Sequence, residues 1–111
     1  MRKNIIVALD CENRDEAVTL VKQLPRRCCL KVGMQMFTLF GRGFVEELID
    51  LGFDVFLDLK LHDIPNTVAC AVRAACDMGV WMMTVHVQGG VDMLRAARSE
   101  IDKSSGRKPL L

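Results

Sequence analysis

Phe53-Asp54-Val55-Phe56-Leu57-Asp58-Leu59-Lys60-Leu61-His62-Asp63-Ile64-Pro65-Asn66-Thr67 passes from an apolar run into the start of a helix, with its charges at the junction. A strand repeats every two residues, so Asp58 and Lys60 point to the same side. Asp63 follows three residues later, where the chain turns. Two carboxylates are thus expected around one ammonium at the mouth of a strand. Unpaired buried charge is costly, so such a cluster is a poor core element. It fits a place where chemistry uses the charge.

On either side of this stretch the chain alternates. The β-branched run 4–9 predicts a buried strand, and 13–24 a helix with apolar residues at helical spacing, Asn13 or Asp15 as cap and Pro25 as stop. Residues 28–32 predict a second strand broken by Gly33. A helical turn over 35–40 and a helix over 44–51 follow, the latter stopped by Gly52. Residues 53–59 predict the third strand, 66–78 a helix stopped by Gly79, 80–86 the fourth strand and 91–101 the last helix. Pro109-Leu110-Leu111 resembles the beginning of a fifth strand. Four βα units in a row, with no hairpin signal between them, predict an α/β fold with a parallel sheet. A doubly wound sheet and a section of a barrel both fit. In either, the C-terminal strand edge carries the active site, and Asp10, Lys31, Asp58, Lys60 and His86 fall at or beside it.

Composition narrows the partners. With 111 residues, half of them hydrophobic, the chain can form one ordinary core. A net charge of +1 with scattered basic residues gives no electrostatic case for nucleic acid or an acidic membrane. Asp10 and Glu12 interrupt the first apolar run too early for a signal peptide. Arg73 and Asp77 argue against a membrane span in 68–87. The five cysteines are odd in number, lie on apolar segments and form no Cys-x-x-Cys pair. A reducing cytoplasm is the simplest setting, with the thiols serving as small apolar side chains.

Each candidate also has a plainer role. Lys31 fits an outward-facing lysine on an edge strand, and Asp58 with Lys60 fits a structural ion pair. Asp63 fits a charge placed at the positive end of the third helix, ahead of Pro65. Asp10 fits a cap for the first helix. His62 counts out on the face away from Lys60, and His86 fits a hydrogen-bonding role as well as ligand contact. Gly41-Arg42-Gly43 reads as a loop, since no lysine follows it, and Gly89-Gly90 is a weak anion-binding signal. The methionines Met78, Met82, Met83 and Met93 read as core filling. The cysteines lack zinc-ligand spacing, and Lys60 competes with magnesium for Asp58 and Asp63.

Asp58-x-Lys60-x-x-Asp63 followed by Ile64-Pro65-Asn66-Thr67 resembles the signature of the orotidine 5′-phosphate decarboxylase family. Ala8-Leu9-Asp10, Leu30-Lys31-Val32-Gly33 and Val85-His86 before Gly89-Gly90 agree with it. The resemblance covers essentially the whole chain and is nearest to bacterial members. Related sugar-phosphate decarboxylases share the first six positions without the continuation. The resemblance implies a (β/α)8 TIM-barrel fold and a carboxy-lyase that makes uridine 5′-phosphate in the last step of pyrimidine nucleotide synthesis. It implies no metal and no organic cofactor. Lys31, Asp58, Lys60 and Asp63 would form an alternating charge network, with Lys60 as cation and proton donor. Asp10 and Lys31 would contact the ribose hydroxyls. Asp63, Ile64 and Thr67 would reach into a shared site of a homodimer.

A complete eight-unit barrel needs ~250 residues, and its phosphate usually sits on loops after strands seven and eight. Residues 1–111 are therefore expected to be the N-terminal half of one barrel domain, with the C-terminal half absent. The charge network is expected without its substrate clamp, so this chain alone is expected to be inactive or nearly so. The alternatives are a non-catalytic half-barrel that acts by association, or a related sugar-phosphate decarboxylase.

Overall fold

The structure is a computed structural model and describes residues 5–111. It comprises two compact units that meet in sequence after Phe56.

The first unit opens with β1 (Ile6–Ala8), α1 (Arg14–Lys22), β2 (Cys29–Gly33) and α2 (Met34–Asp50), and holds the first residues of β3 (Asp54–Leu61). β1 and β2 pair in parallel, with Ala8 opposite Lys31. The side chain of Asn13 caps α1 by accepting the Glu16 N–H at 2.9 Å, and Asp15 and Glu16 complement the helix dipole. Gly33 is the last residue of β2 and the cap of α2, so strand passes into helix without a loop. The predicted separation of 35–40 from 44–51 is realised as a kink inside α2 at Gly41, whose φ of 69° suits glycine. Leu9, Leu30, Val32, Met36, Val45, Leu48 and Val55 are fully buried or nearly so. Asn4, expected to begin the first strand, lies outside the described residues.

The second unit contains the end of β3, then α3 (Pro65–Met78), β4 (Met82–Val85), a short 3-10 turn (Val87–Gly89) and α4 (Val91–Lys103). α3 begins one residue earlier than predicted because Pro65 takes the first helical position, where its missing N–H is no loss. It ends at Gly79 in the left-handed conformation, φ 84°. β3 runs two residues past the expected Leu59, and β4 is shorter than 80–86 at both ends. Leu110 forms a parallel bridge with Met82, donating to the Trp81 carbonyl at 2.9 Å and accepting from the Met83 N–H at 3.0 Å. The apolar residues 109–111, expected to start a fifth strand, thus contribute a single bridge beside β4. Met83, Met93, Ala97 and Ile101 are buried with Val68, Val72 and Ala75 of α3, and α3 packs on α4. Met78, Met83 and Met93 fill the core as expected, while Met82 is half-buried.

All five cysteines are free thiols. Cys28, Cys29 and Cys76 are buried as small apolar groups; Cys70 departs from that expectation and is exposed. No helix among the described residues is long and apolar enough to cross a membrane.

One charged contact joins α3 to α4. Glu100, with its side chain 11% exposed, accepts from Arg73 Nε at 3.1 Å and Nη2 at 3.0 Å. The hydrogen bond from Arg73 is the main cause that holds the Glu100 carboxyl below the usual range, against the opposing effect of burial. Such a group adds stability above its unfolded pKa and loses it as pH falls through the folded value. Glu100→Gln should thus lower stability at neutral pH, and the deficit should shrink as pH falls below roughly 4.3, the ordinary glutamate value. Urea unfolding midpoints measured across the acid range check this; a deficit that stays constant with pH would contradict it.

Candidate active site

In the second unit the described chemistry concentrates at the C-terminal end of β3. Asp58 is largely enclosed, its side chain 11% exposed, while the Lys60 side chain is 66% exposed. Lys60 Nζ donates to Asp58 Oδ2 at 2.9 Å, as the two-residue spacing predicts. Lys60 nevertheless departs from strand geometry. Its φ is 49°, and it is the one non-glycine residue with positive φ among those described. A lysine in this left-handed region is held there at a cost of ~1–2 kcal/mol. Its N–H donates to Thr84 Oγ1 of β4 at 3.0 Å, and that hydroxyl donates to Asp58 Oδ1 at 2.8 Å. The two Asp58 oxygens are thereby divided between a hydroxyl and the ammonium.

Asp63 is placed differently. Its Oδ1 accepts the Ile64 N–H at 2.7 Å, just ahead of α3. Within the described contacts Lys60 pairs with Asp58 and not with Asp63. The sequence spacing had put both carboxylates around one ammonium; the turn after Leu61 instead carries Asp63 to the start of the helix. Ile64 is 65% exposed, and Thr67 is exposed in the first turn of α3.

His62 and His86 stack, with ring centroids 4.8 Å apart and planes at 16°. His86 donates its backbone N–H to the Leu61 carbonyl at 2.9 Å, and its Nδ1 accepts from the Gln88 N–H at 3.3 Å. The sequence reading does not single out Thr84 as a partner of the charged residues. A usable signal existed: Thr84 and His86 are polar residues two apart at the end of a strand, hence on one face.

In the first unit, Leu9 donates to the Lys31 carbonyl at 3.0 Å, so Asp10 follows directly beyond the residue bonded to Lys31. Both lie at the C-terminal edge of the β1–β2 pair, Asp10 exposed and Lys31 half-buried. Cys11 is no activated nucleophile, because burial, then Glu16 and Asp10, push its thiol up. Cys76 is raised mainly by burial as well. Arg42, expected in a loop, lies in α2 just after the Gly41 kink and pairs with Glu46 one turn on. Among the described residues no group of three or more His, Cys, Asp or Glu side chains is placed to hold a metal ion. The prominent groove of the second unit, about 540 Å³, lies between α3 and α4 and is lined by none of the residues at the β3 end.

An ammonium fixed by one carboxylate at a strand mouth can stabilise negative charge and deliver a proton. The family model for orotidine 5′-phosphate decarboxylase / HUMPS matches residues 3–111. The chain belongs to this family. The orotidine 5′-phosphate decarboxylase of Pseudoalteromonas translucida is 57% identical over 110 residues, which is 98% of this chain and 47% of that protein. The crystal structure of orotidine 5′-phosphate decarboxylase from Lactobacillus acidophilus matches with a TM-score of 0.87 and 33% identity, over 97% of this chain and 50% of that one. The orotidine 5′-monophosphate decarboxylase of Methanocaldococcus jannaschii, solved with the inhibitor BMP, matches with a TM-score of 0.82 and 25% identity over 93% and 49%. The four βα units are therefore of the (β/α)8 barrel class, and the chain spans about half the length of the curated relatives it matches.

The left-handed backbone of Lys60 has a measurable consequence for any member of this family that shares it. Glycine in a regular strand is less stable than alanine by ~0.5–1 kcal/mol. At position 60 the order should reverse, Lys60→Gly exceeding Lys60→Ala in stability by ~1 kcal/mol, because both lose the ammonium and only glycine escapes the left-handed penalty. Chemical denaturation of the two variants decides it; an alanine variant as stable as the glycine one would mean that residue 60 is not left-handed.

Proposed function

We propose that the protein carrying this chain decarboxylates orotidine 5′-phosphate to uridine 5′-phosphate, with Lys60 as cation and proton donor. The observation that carries this reading is the Lys60 ammonium held 2.9 Å from Asp58 in a conformation lysine rarely adopts. Membership in the family and the printed names of the relatives support it.

The step balances simply. The bond from C6 of the pyrimidine to its carboxylate breaks, carbon dioxide leaves, and the electron pair remains on C6. Lys60 Nζ then gives C6 a proton and is left as a neutral amine, to be reprotonated from solvent. The ammonium favours the developing charge before it delivers the proton, which counts as transition-state stabilisation. Asp58 holds the ammonium in place at 2.9 Å. It would also crowd the substrate carboxylate, a pressure relieved as carbon dioxide departs. Asp10 and Lys31 would bind the ribose hydroxyls. Asp63, Ile64 and Thr67 would serve a site shared with a second copy in a homodimer, for which the exposure of Ile64 is suitable. No metal or organic cofactor enters this step, and a cytoplasmic setting accords with the free thiols.

Residues 1–111 would then be the N-terminal half of one barrel domain. Phosphate binding in such barrels falls to loops after strands seven and eight, so the isolated chain should be nearly inactive. A related sugar-phosphate decarboxylase is the second reading, because the matched family also bears the HUMPS name; magnesium dependence would mark it.

Loss of orotidine 5′-phosphate should be followed spectroscopically, with chelator present, for the chain alone and for the chain supplied with a C-terminal half. Turnover is expected only with both halves, and Lys60→Ala should reduce it by at least ~10²-fold. Turnover that survives Lys60→Ala would refute the role of Lys60. Turnover abolished by chelator would favour the second reading.

A further inference from the structure

We propose that Thr84 is the positioning residue for the proton donor, an inference that rests on the role proposed above for Lys60. The hydrogen placement around its hydroxyl is forced. The Lys60 backbone N–H can only donate, so Thr84 Oγ1 accepts at 3.0 Å. An ionised Asp58 can only accept, so the single hydroxyl hydrogen goes to Oδ1 at 2.8 Å. One side chain on β4 therefore grips both members of the ion pair on β3.

Two consequences follow for the donor. The N–H bond fixes the residue whose φ of 49° departs from the strand, so it fixes the direction in which the lysine side chain leaves the backbone. The O–H bond occupies Asp58 Oδ1 and turns Oδ2 toward Lys60 Nζ, 2.9 Å away. Thr84 is half-buried and Asp58 largely enclosed, so water is poorly placed to replace the bond between them. A displaced donor loses rate steeply, since misplacement on the ångström scale can cost about a hundredfold.

Threonine and valine have nearly the same shape, which makes Thr84→Val the direct probe, and Thr84→Ser restores the hydroxyl. Both should be made in the complete protein that contains residues 1–111, beside Lys60→Ala. Thr84→Val is expected to lower kcat by about ten- to a hundredfold while KM moves by less than about threefold, and Thr84→Ser to recover most of kcat. The Lys60 amide of the unmodified protein should exchange slowly with deuterium, a measurement that needs neither activity nor a folded variant. Unchanged kcat in Thr84→Val, equal loss in Thr84→Val and Thr84→Ser, or a rapidly exchanging Lys60 amide overturns the positioning role. Should Lys60→Ala abolish turnover while Thr84→Val does not, this inference fails and the proposed function stands. Should Lys60→Ala retain turnover, the proposed function fails, and with it the donor that Thr84 is said to position.

Discussion

The ammonium of Lys60 lies 2.9 Å from Asp58 on a backbone turned into the left-handed region, and the attraction between the two does not account for that backbone. An exposed ion pair contributes ~0–1 kcal/mol, and the lysine side chain here is 66% exposed. The left-handed conformation costs a comparable or larger ~1–2 kcal/mol. Something else must hold the residue, and the neighbouring strand supplies it through Thr84. Strain that persists because its surroundings determine it is a recurrent property of functional positions. Here the observed outlier falls on the residue whose chemistry the family resemblance singles out.

Asp58 shows the converse balance. A carboxylate enclosed to this degree is costly unless its oxygens are satisfied. It receives a hydroxyl on one oxygen and an ammonium on the other. A hydrogen bond to a charged group contributes more than a neutral one, about 1.5–3 kcal/mol, so the Thr84 hydroxyl adds more than the exposed ion pair, and Asp58 rather than Lys60 is the anchored member. The arrangement suits a donor that must stay charged and accessible: the fixed charge is buried and the mobile charge is presented outward. By contrast, Arg73 and Glu100 form a two-pronged pair whose effect is to join two helices. The two pairs have nearly the same exposures, with the carboxylate 11% exposed in each, so what separates them is place: one joins two helices and the other lies at the end of a strand.

Most of the fold was legible because its signals are local. Asn13 and Gly79 mark helix ends by bonds that reach three or four residues, Pro65 marks a start by its missing N–H, and Gly41 announced the break in α2. The period of two placed Asp58 and Lys60 together. What escaped was long in range. Thr84 lies 24 residues from Lys60 and 26 from Asp58, and its two bonds exist only once β4 lies beside β3. Nothing in the composition of a lysine announces a left-handed backbone, so that conformation was invisible in the sequence. The same holds for Asp63, whose turn toward Ile64 depends on how the chain leaves β3 rather than on the spacing of charges. The strand count gave His62 no partner; its ring stacks on His86, 24 residues on.

The candidate site residues fall in both units. The ion pair, its hydroxyl clamp and the histidine stack are all built within residues 57–111, whereas Asp10 and Lys31 lie on the β1–β2 edge of the first unit. The chain spans about half the length of its curated relatives, and barrels of this class commonly bind phosphate on later loops. Energy for a difficult step comes largely from parts of the substrate remote from the reacting carbon. Under the proposed function, the local bonds at the end of β3 would depend on such remote contacts for rate, and geometry at Lys60 would be necessary for turnover without being sufficient.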